Sequence, residues 1–103
     1  ATWSEFEKAN PTMAAAGRKL IQQFGVGLAY LATVRRDGGP RVHPVCAILC
    51  DGGLYSLVAA SPKQGDLLRD GRFGLHTFPA VDRDDEFYLT GRTRPRPEAA
   101  LLA

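Results

Sequence analysis

Cysteine is scarce in this chain of 103 residues: there are two, Cys46 and Cys50. On one strand they would share a face about 13 Å apart, at ~3.3 Å per residue, too far for a disulfide. Two thiols alone make no metal site, so no metal is expected. They read as small core residues in a reducing cytoplasm. No apolar run approaches the ~20 residues of a membrane span, and no signal peptide is evident, so no membrane partner is expected. Neither sign of charge dominates, since 13 basic and 11 acidic residues leave +2. The basic residues are mostly arginine, which favours forked contacts to anions. The excess is too small to imply nucleic acid. Repeats and low-complexity linkers are absent. No Ser-His-Asp order, paired catalytic carboxylates or nucleotide-binding glycine motif stands out. Any catalysis would therefore have to come from a bound cofactor.

What is there suits one domain over residues 1–103. A chain this size buries roughly 65% of its unfolded surface, so its core is modest and a dimer would help. Two helices are expected within residues 1–25. Thr2 and Glu5 stand at capping-box spacing. Asn10-Pro11 then caps and restarts the chain, with Met13, Gly17, Leu20, Ile21 and Phe24 on one helical face and Gly25 closing it. Trp3 and Phe6 read as packing for the first helix.

Residues 27–94 alternate as strands. Leu28, Tyr30, Ala32 and Val34 share one face of the first, and Arg36-Asp37-Gly38-Gly39 is a hairpin turn. A second strand over residues 40–50 puts Arg41, His43, Val45, Ala47 and Leu49 on one face. Pro44 inside it predicts a bulge or an unpaired side. Asp51-Gly52-Gly53 turns the chain into a third strand over 54–60. A helix follows, closed by Gly71, then strands over 72–78 and 86–93, with a solvated acidic loop over 79–85 between them. Pro95-Arg96-Pro97 breaks the chain, and a helix beginning at 97–103 is expected, cut short at the end. Tight hairpins with helices at the margins give a mainly β fold, a small antiparallel β-barrel or curled sheet.

The chemistry is expected where the third strand meets the central helix. Ser61 is an N-cap candidate, Pro62 suits the first helical position and Gln64 completes a capping box. A helix start offers unpaired N–H groups and partial positive charge, to which Lys63 adds a cation. With Gly52-Gly53 as the turn centre, Pro44 falls near Ser61 and Val42 near Lys63. Arg41 and His43 then flank them, and the convergence predicts an anion site, a phosphate above all.

These residues resemble the pyridoxamine 5′-phosphate oxidase-like, FMN-binding split-barrel family. The resemblance runs from Leu28-Ala29-Tyr30-Leu31-Ala32-Thr33-Val34 through Asp37-Gly38 and Pro40-Arg41-Val42-His43-Pro44-Val45. It continues in Ser61-Pro62-Lys63, Leu67-Leu68-Arg69-Asp70-Gly71-Arg72 and Glu86-Phe87-Tyr88-Leu89-Thr90-Gly91-Arg92. The resemblance implies a homodimeric split barrel and an FMN-dependent oxidoreductase acting on a small substrate. FMN would lie between subunits. Arg41 and Lys63 would hold its phosphate with Ser61 beside them, and the backbone of Val42, His43, Pro44 and Val45 would run along the ring. Glu86 stands where the oxidase has a glutamine reaching the partner's flavin, and the oxidase's C-terminal arginine segment is missing. A flavin, deazaflavin or haem binding protein without turnover is the alternative the family supplies. A nucleic-acid-binding barrel is a third reading, disfavoured by scattered aromatics that form no stacking platform. His43 and His76 read as structural.

Overall fold

The computed structural model describes residues 2–95, so the expected helix over 97–103 lies outside the described residues. Helix α1 (Trp3–Ala9) opens with the expected capping box: Glu5 N–H donates to Thr2 Oγ1 and Thr2 N–H to Glu5 Oε1. Helix α2 (Pro11–Ile21) is capped by Asn10, whose side chain accepts from Met13 N–H. Its buried face is Ala14, Gly17, Leu20 and Ile21. Met13 and Phe24, expected on that face, are exposed instead. Phe24 lies beyond the last helical turn, where Gly25 takes φ +85°.

Six strands follow. They are β1 (Leu28–Val34), β2 (Pro40–Cys46), β3 (Ile48–Cys50), β4 (Gly53–Tyr55), β5 (Arg72–Thr77) and β6 (Tyr88–Arg92), with helix α3 (Pro62–Arg69) between β4 and β5. Among the described residues they form a four-stranded sheet in the order β2-β1-β5-β6 and a two-stranded β3-β4 sheet, every pairing antiparallel. The mainly antiparallel sheet with flanking helices matches the expectation. No ladder among those residues closes it into a barrel.

Two local departures shape everything downstream. The strand expected over 40–50 breaks at Ala47, whose N–H donates to Gly27 O. A Cβ on Gly27 would collide with that Ala47 carbonyl oxygen, so the close approach requires glycine. The second departure is at the turn. Asp51 (φ +50°) and Gly52 (φ +74°) form its centre, which pairs Cys50 with Gly53 rather than Tyr55. The ladder ends at Ile48↔Tyr55, and residues 56–60 form no strand. Val42 and Pro44 therefore lie opposite Ala32 and Tyr30 of β1, not opposite Lys63 and Ser61. The two cysteines fall on different strands, Cys46 exposed and Cys50 half-buried, so neither is the core residue expected.

The helices cover one face of the large sheet. Ala29 and Leu31 of β1, Val45 of β2 and Leu75 of β5 pack there with Trp3, Ala14 and Ile21, and Phe6, Leu49, Leu54, Leu67 and Phe87 fill in around them. Ile21 is wholly buried, a burial that stabilises by about 1.5–3 kcal/mol. Pro44 is tolerated because β2 is an edge strand, with one row of hydrogen-bonding groups unpaired. Among the described residues no helix lies on the opposite face of the sheet, where Tyr30, Val42 and Tyr88 are exposed.

Candidate functional site

Helix α3 starts at the expected residue, but the capping box is only half made, because the Gln64 side chain donates to Val58 O (3.1 Å) instead of reaching back to Ser61. Gln64 N–H donates to Ser61 Oγ (3.4 Å), Ser61 Oγ–H donates to Ala59 O (2.8 Å), and Pro62 takes the first position. One turn on, Asp66 faces the sheet and is 3% exposed. Its Oδ2 accepts from Arg41 Nε–H (2.7 Å) and from Thr33 Oγ1–H (2.7 Å). Thr33 and Arg41 are register partners on β1 and β2, so a single carboxylate ties two strands to the helix. Arg69 stands 3.5 Å from Asp66 Oδ1 and also donates to Val34 O. The Arg41 and Thr33 hydrogen bonds hold the Asp66 carboxyl below the usual range, with burial acting against them.

This arrangement does bring Arg41 to α3, but through Asp66 rather than through an empty anion pocket. Lys63 lies on the same helix, half-buried and without an ion-pair partner among the described residues. Ser61 is committed to the cap. His43 and Val45 share the helix-covered face with Arg41, opposite Leu31 and Ala29, while Val42 and Pro44 point to the open face. The seven candidate residues therefore divide between two sides of one sheet. Asp66 escaped notice in the sequence. Its signal was slight: the lone carboxylate in Pro62-Lys63-Gln64-Gly65-Asp66-Leu67-Leu68-Arg69, on the stripe it shares with Lys63.

The open face carries a second constellation. Three cross-strand rows lie on it. The middle row runs Val42–Ala32–Gly74–Thr90, and the next runs Pro44–Tyr30–His76–Tyr88. On the other side, Arg72 and Arg92 are direct register partners across β5 and β6. Ala32, Val34, Gly74 and Thr90 line a cleft of about 440 Å³ with both arginines at its margin. The absent side chain at Gly74 opens this trough, because a Cβ there would sit 3.8 Å from Ala32 Cβ and 4.0 Å from Thr90 Cγ2. Asp70 grips Arg72 in a fork, Nε–Oδ1 2.7 Å and Nη2–Oδ2 2.9 Å, while Arg92 Nη1 makes only a 3.5 Å contact with Asp70 O. The Arg72 hydrogen bonds pull the Asp70 carboxyl down to about 2, and Asp70 in turn raises the Arg72 guanidinium.

On the aromatic side, Tyr30 stacks on Phe78 (4.4 Å between centroids) and His76 lies parallel to Tyr88 (6.2 Å, 9°). His76 Nδ1 is 2.7 Å from Thr77 O. A carbonyl can only accept, so Nδ1 carries the proton and Nε2 of the neutral ring keeps its lone pair. Glu86 Oε2 lies 3.6 Å from that Nε2. Among the described residues, no group of three or more His, Cys, Asp or Glu side chains converges as a metal site. No helix there is long and apolar enough to cross a membrane.

No protein-family model matches the chain, and no curated protein matches it in sequence. Its fold has counterparts among solved structures. One superposes with a TM-score of 0.66 at 22% identity, covering 86% of this chain and 64% of the other. Another, described as the structure of a heme binding protein from Mycobacterium smegmatis, superposes with a TM-score of 0.62 at 21% identity, covering 86% of this chain and 40% of that one. The chain thus spans less than two thirds of either neighbour, and the likeness is one of fold.

Proposed function

We propose that this chain is a binding module for haem, of the split-barrel kind, that holds its ligand without turning over a substrate. The observation that carries the reading is the shared architecture, over 86% of the chain, with a protein described as haem-binding. The donor set is compatible with haem. A porphyrin brings four nitrogens of its own, so one protein donor suffices, and a histidine is the commonest choice. His76 presents an Nε2 lone pair on an open sheet face next to an apolar trough. Bound haem would supply iron redox and ligand-binding chemistry. What this chain contributes is the Ala32, Val34, Gly74 and Thr90 surface, cations and a nitrogen donor.

The FMN-dependent oxidoreductase reading is the second one, and Lys63 favours it. An ammonium without an ion-pair partner among the described residues, beside a capped helix start, suits a phosphate. Arg41 weakens it, because that guanidinium is already held by Asp66. Either cofactor would gain from a homodimer, since a second copy would cover exposed Val42 and Tyr88 and close the unroofed side of the trough. The unpaired thiols of Cys46 and Cys50 suit a reducing, cytoplasmic setting.

The deciding experiment is a titration of purified protein with haemin and, separately, with FMN or a deazaflavin. Haem binding produces an intense Soret band at a stoichiometric end point. Flavin binding quenches flavin fluorescence, and Lys63→Gln weakens that binding. A protein that takes up FMN but not haemin would overturn the first reading.

A further inference from the structure

We infer that the open face of β1, β5 and β6 is a stacking platform for single-stranded nucleic acid: bases lie on Tyr30, His76 and Tyr88, and phosphates meet the arginines at the other end of the same face. The inference goes beyond the haem reading and does not rest on it.

Aromatics that are scattered in the sequence meet in the fold. Tyr30, His76 and Tyr88 are successive register partners across β1, β5 and β6, and all three are exposed. Phe78 extends the row by stacking on Tyr30, and the His76 and Tyr88 rings are parallel to within 9°. The two nitrogens of His76 already face Thr77 O (2.7 Å) and Glu86 Oε2 (3.6 Å). What it has left for a ligand is therefore the face of its ring. Stacking of bases on aromatic rings needs only such faces and tolerates any base.

The net charge of the chain is small because it is segregated along this face. At one end Arg92 closes β6, with Arg94 two residues beyond it and Arg36 two residues beyond β1. All three are exposed, and none has a carboxylate partner among the described residues; Arg92 reaches only the Asp70 backbone carbonyl. Arg72 is not counted, because Asp70 holds it in a fork. Glu86 and the loop acids Asp82, Asp84 and Asp85 lie beyond the aromatic row at the opposite end. A polyanionic backbone is drawn to the first end and repelled from the second, which fixes the side of the row on which it runs. His76 stands four residues along β5 from Arg72, about 13 Å at ~3.3 Å per residue. A sugar and an inward-reaching arginine side chain bridge that gap. Between them Ala32, Gly74 and Thr90 present no bulky side chain to obstruct it.

The test is fluorescence anisotropy of the full chain with labelled oligo(U) and oligo(dT), against a duplex of the same length. The wild type is expected to bind both single strands more tightly than the duplex. Log affinity should fall with log salt at a slope of about −1.4 to −2.1, the value for two or three phosphate contacts. Tyr88→Ala is expected to weaken binding by about fivefold or more with the slope unchanged, while Tyr88→Trp retains it. Arg92→Gln is expected to reduce the slope by about 0.7. Both positions are exposed, and thermal melts check that each variant folds. A wild-type chain that binds neither single strand at low salt overturns the platform. Binding that Tyr30→Ala and Tyr88→Ala leave unchanged also overturns it, because charge alone would then account for the affinity. Haemin uptake is read separately by its Soret band, so either failure leaves the haem reading standing.

Discussion

Arg41 and Asp66 are joined Nε to Oδ2 at 2.7 Å, across the junction between the edge strand β2 and helix α3. The pair gives the residue marked out as an anion ligand an ion-pair partner within the fold. Asp66 is nearly buried, and its partners Thr33 and Arg41 would be left without their acceptor if it were removed. Breaking such a pair from one side is far more damaging than its net contribution suggests. Asp66→Ala is therefore expected to lower Tm by more than about 10 °C. Arg41→Gln should lower it too, and the double variant by less than the sum. A melting curve that Arg41→Gln leaves untouched would return Arg41 to the list of ligand contacts.

Acid should undo the same region. Hydrogen bonds from Arg41 and Thr33 depress the Asp66 carboxyl, and Arg72 depresses Asp70 to about 2, from an ordinary value of 3.8. A carboxyl depressed on folding contributes stability above its unfolded value and loses it as pH falls through its folded value. Stability is thus expected to hold above about pH 4 and to decline toward about pH 2. Melts across that window, with Asp70→Asn flattening the decline, measure it. The exposed Asp70 fork should also weaken in salt.

Two glycines are predicted to resist even alanine. In an exposed helix Gly→Ala stabilises by about 1 kcal/mol. At Gly17 the new Cβ would sit 2.8 Å from Phe87 Cζ, on a ring held among Trp3 and Phe6. Overpacking of that kind costs about 1–3 kcal/mol, so urea denaturation should show a net loss. Gly27→Ala should be worse, since its Cβ meets backbone at Ala47 rather than a side chain that can turn.

Trp3 is the anchor of α1, yet its Nε1–H is buried with no partner among the described residues. Trp3→Phe keeps the aromatic contacts with Phe6 and Phe87 and removes that unmatched donor. It is expected to cost less than about 1.5 kcal/mol, against about 3–5 kcal/mol for Trp3→Ala. Chemical denaturation of the two variants compares them directly.

The helix starts at Thr2, Asn10 and Ser61 were legible because a cap is local: donor and acceptor lie three residues apart, and no distant contact is needed to see them. The hairpin turn over residues 36–39 was legible for the same reason, and the structure puts its Gly38 at φ +87°. The register of the next hairpin was not. Moving the turn centre by one residue, to Asp51-Gly52, shifts every opposed pair by two. The chain's bend at Ala47 then hands β2 to a different partner strand altogether. The candidate site shared that fate, since Arg41, Val42 and Lys63 were joined by a register that the fold does not adopt.

By itself the order of residues determined the helices, their starts, the first hairpin, and the alternation that gives β1 and β2 one apolar and one open face. Tertiary structure alone decided that Arg41 answers to Asp66 and that Arg72 meets Arg92 over a bare glycine. Those meetings depend on which strands become neighbours. That choice is made by burial of the whole core at once, through Trp3, Ile21, Leu31 and Leu75, and not by any local run of sequence.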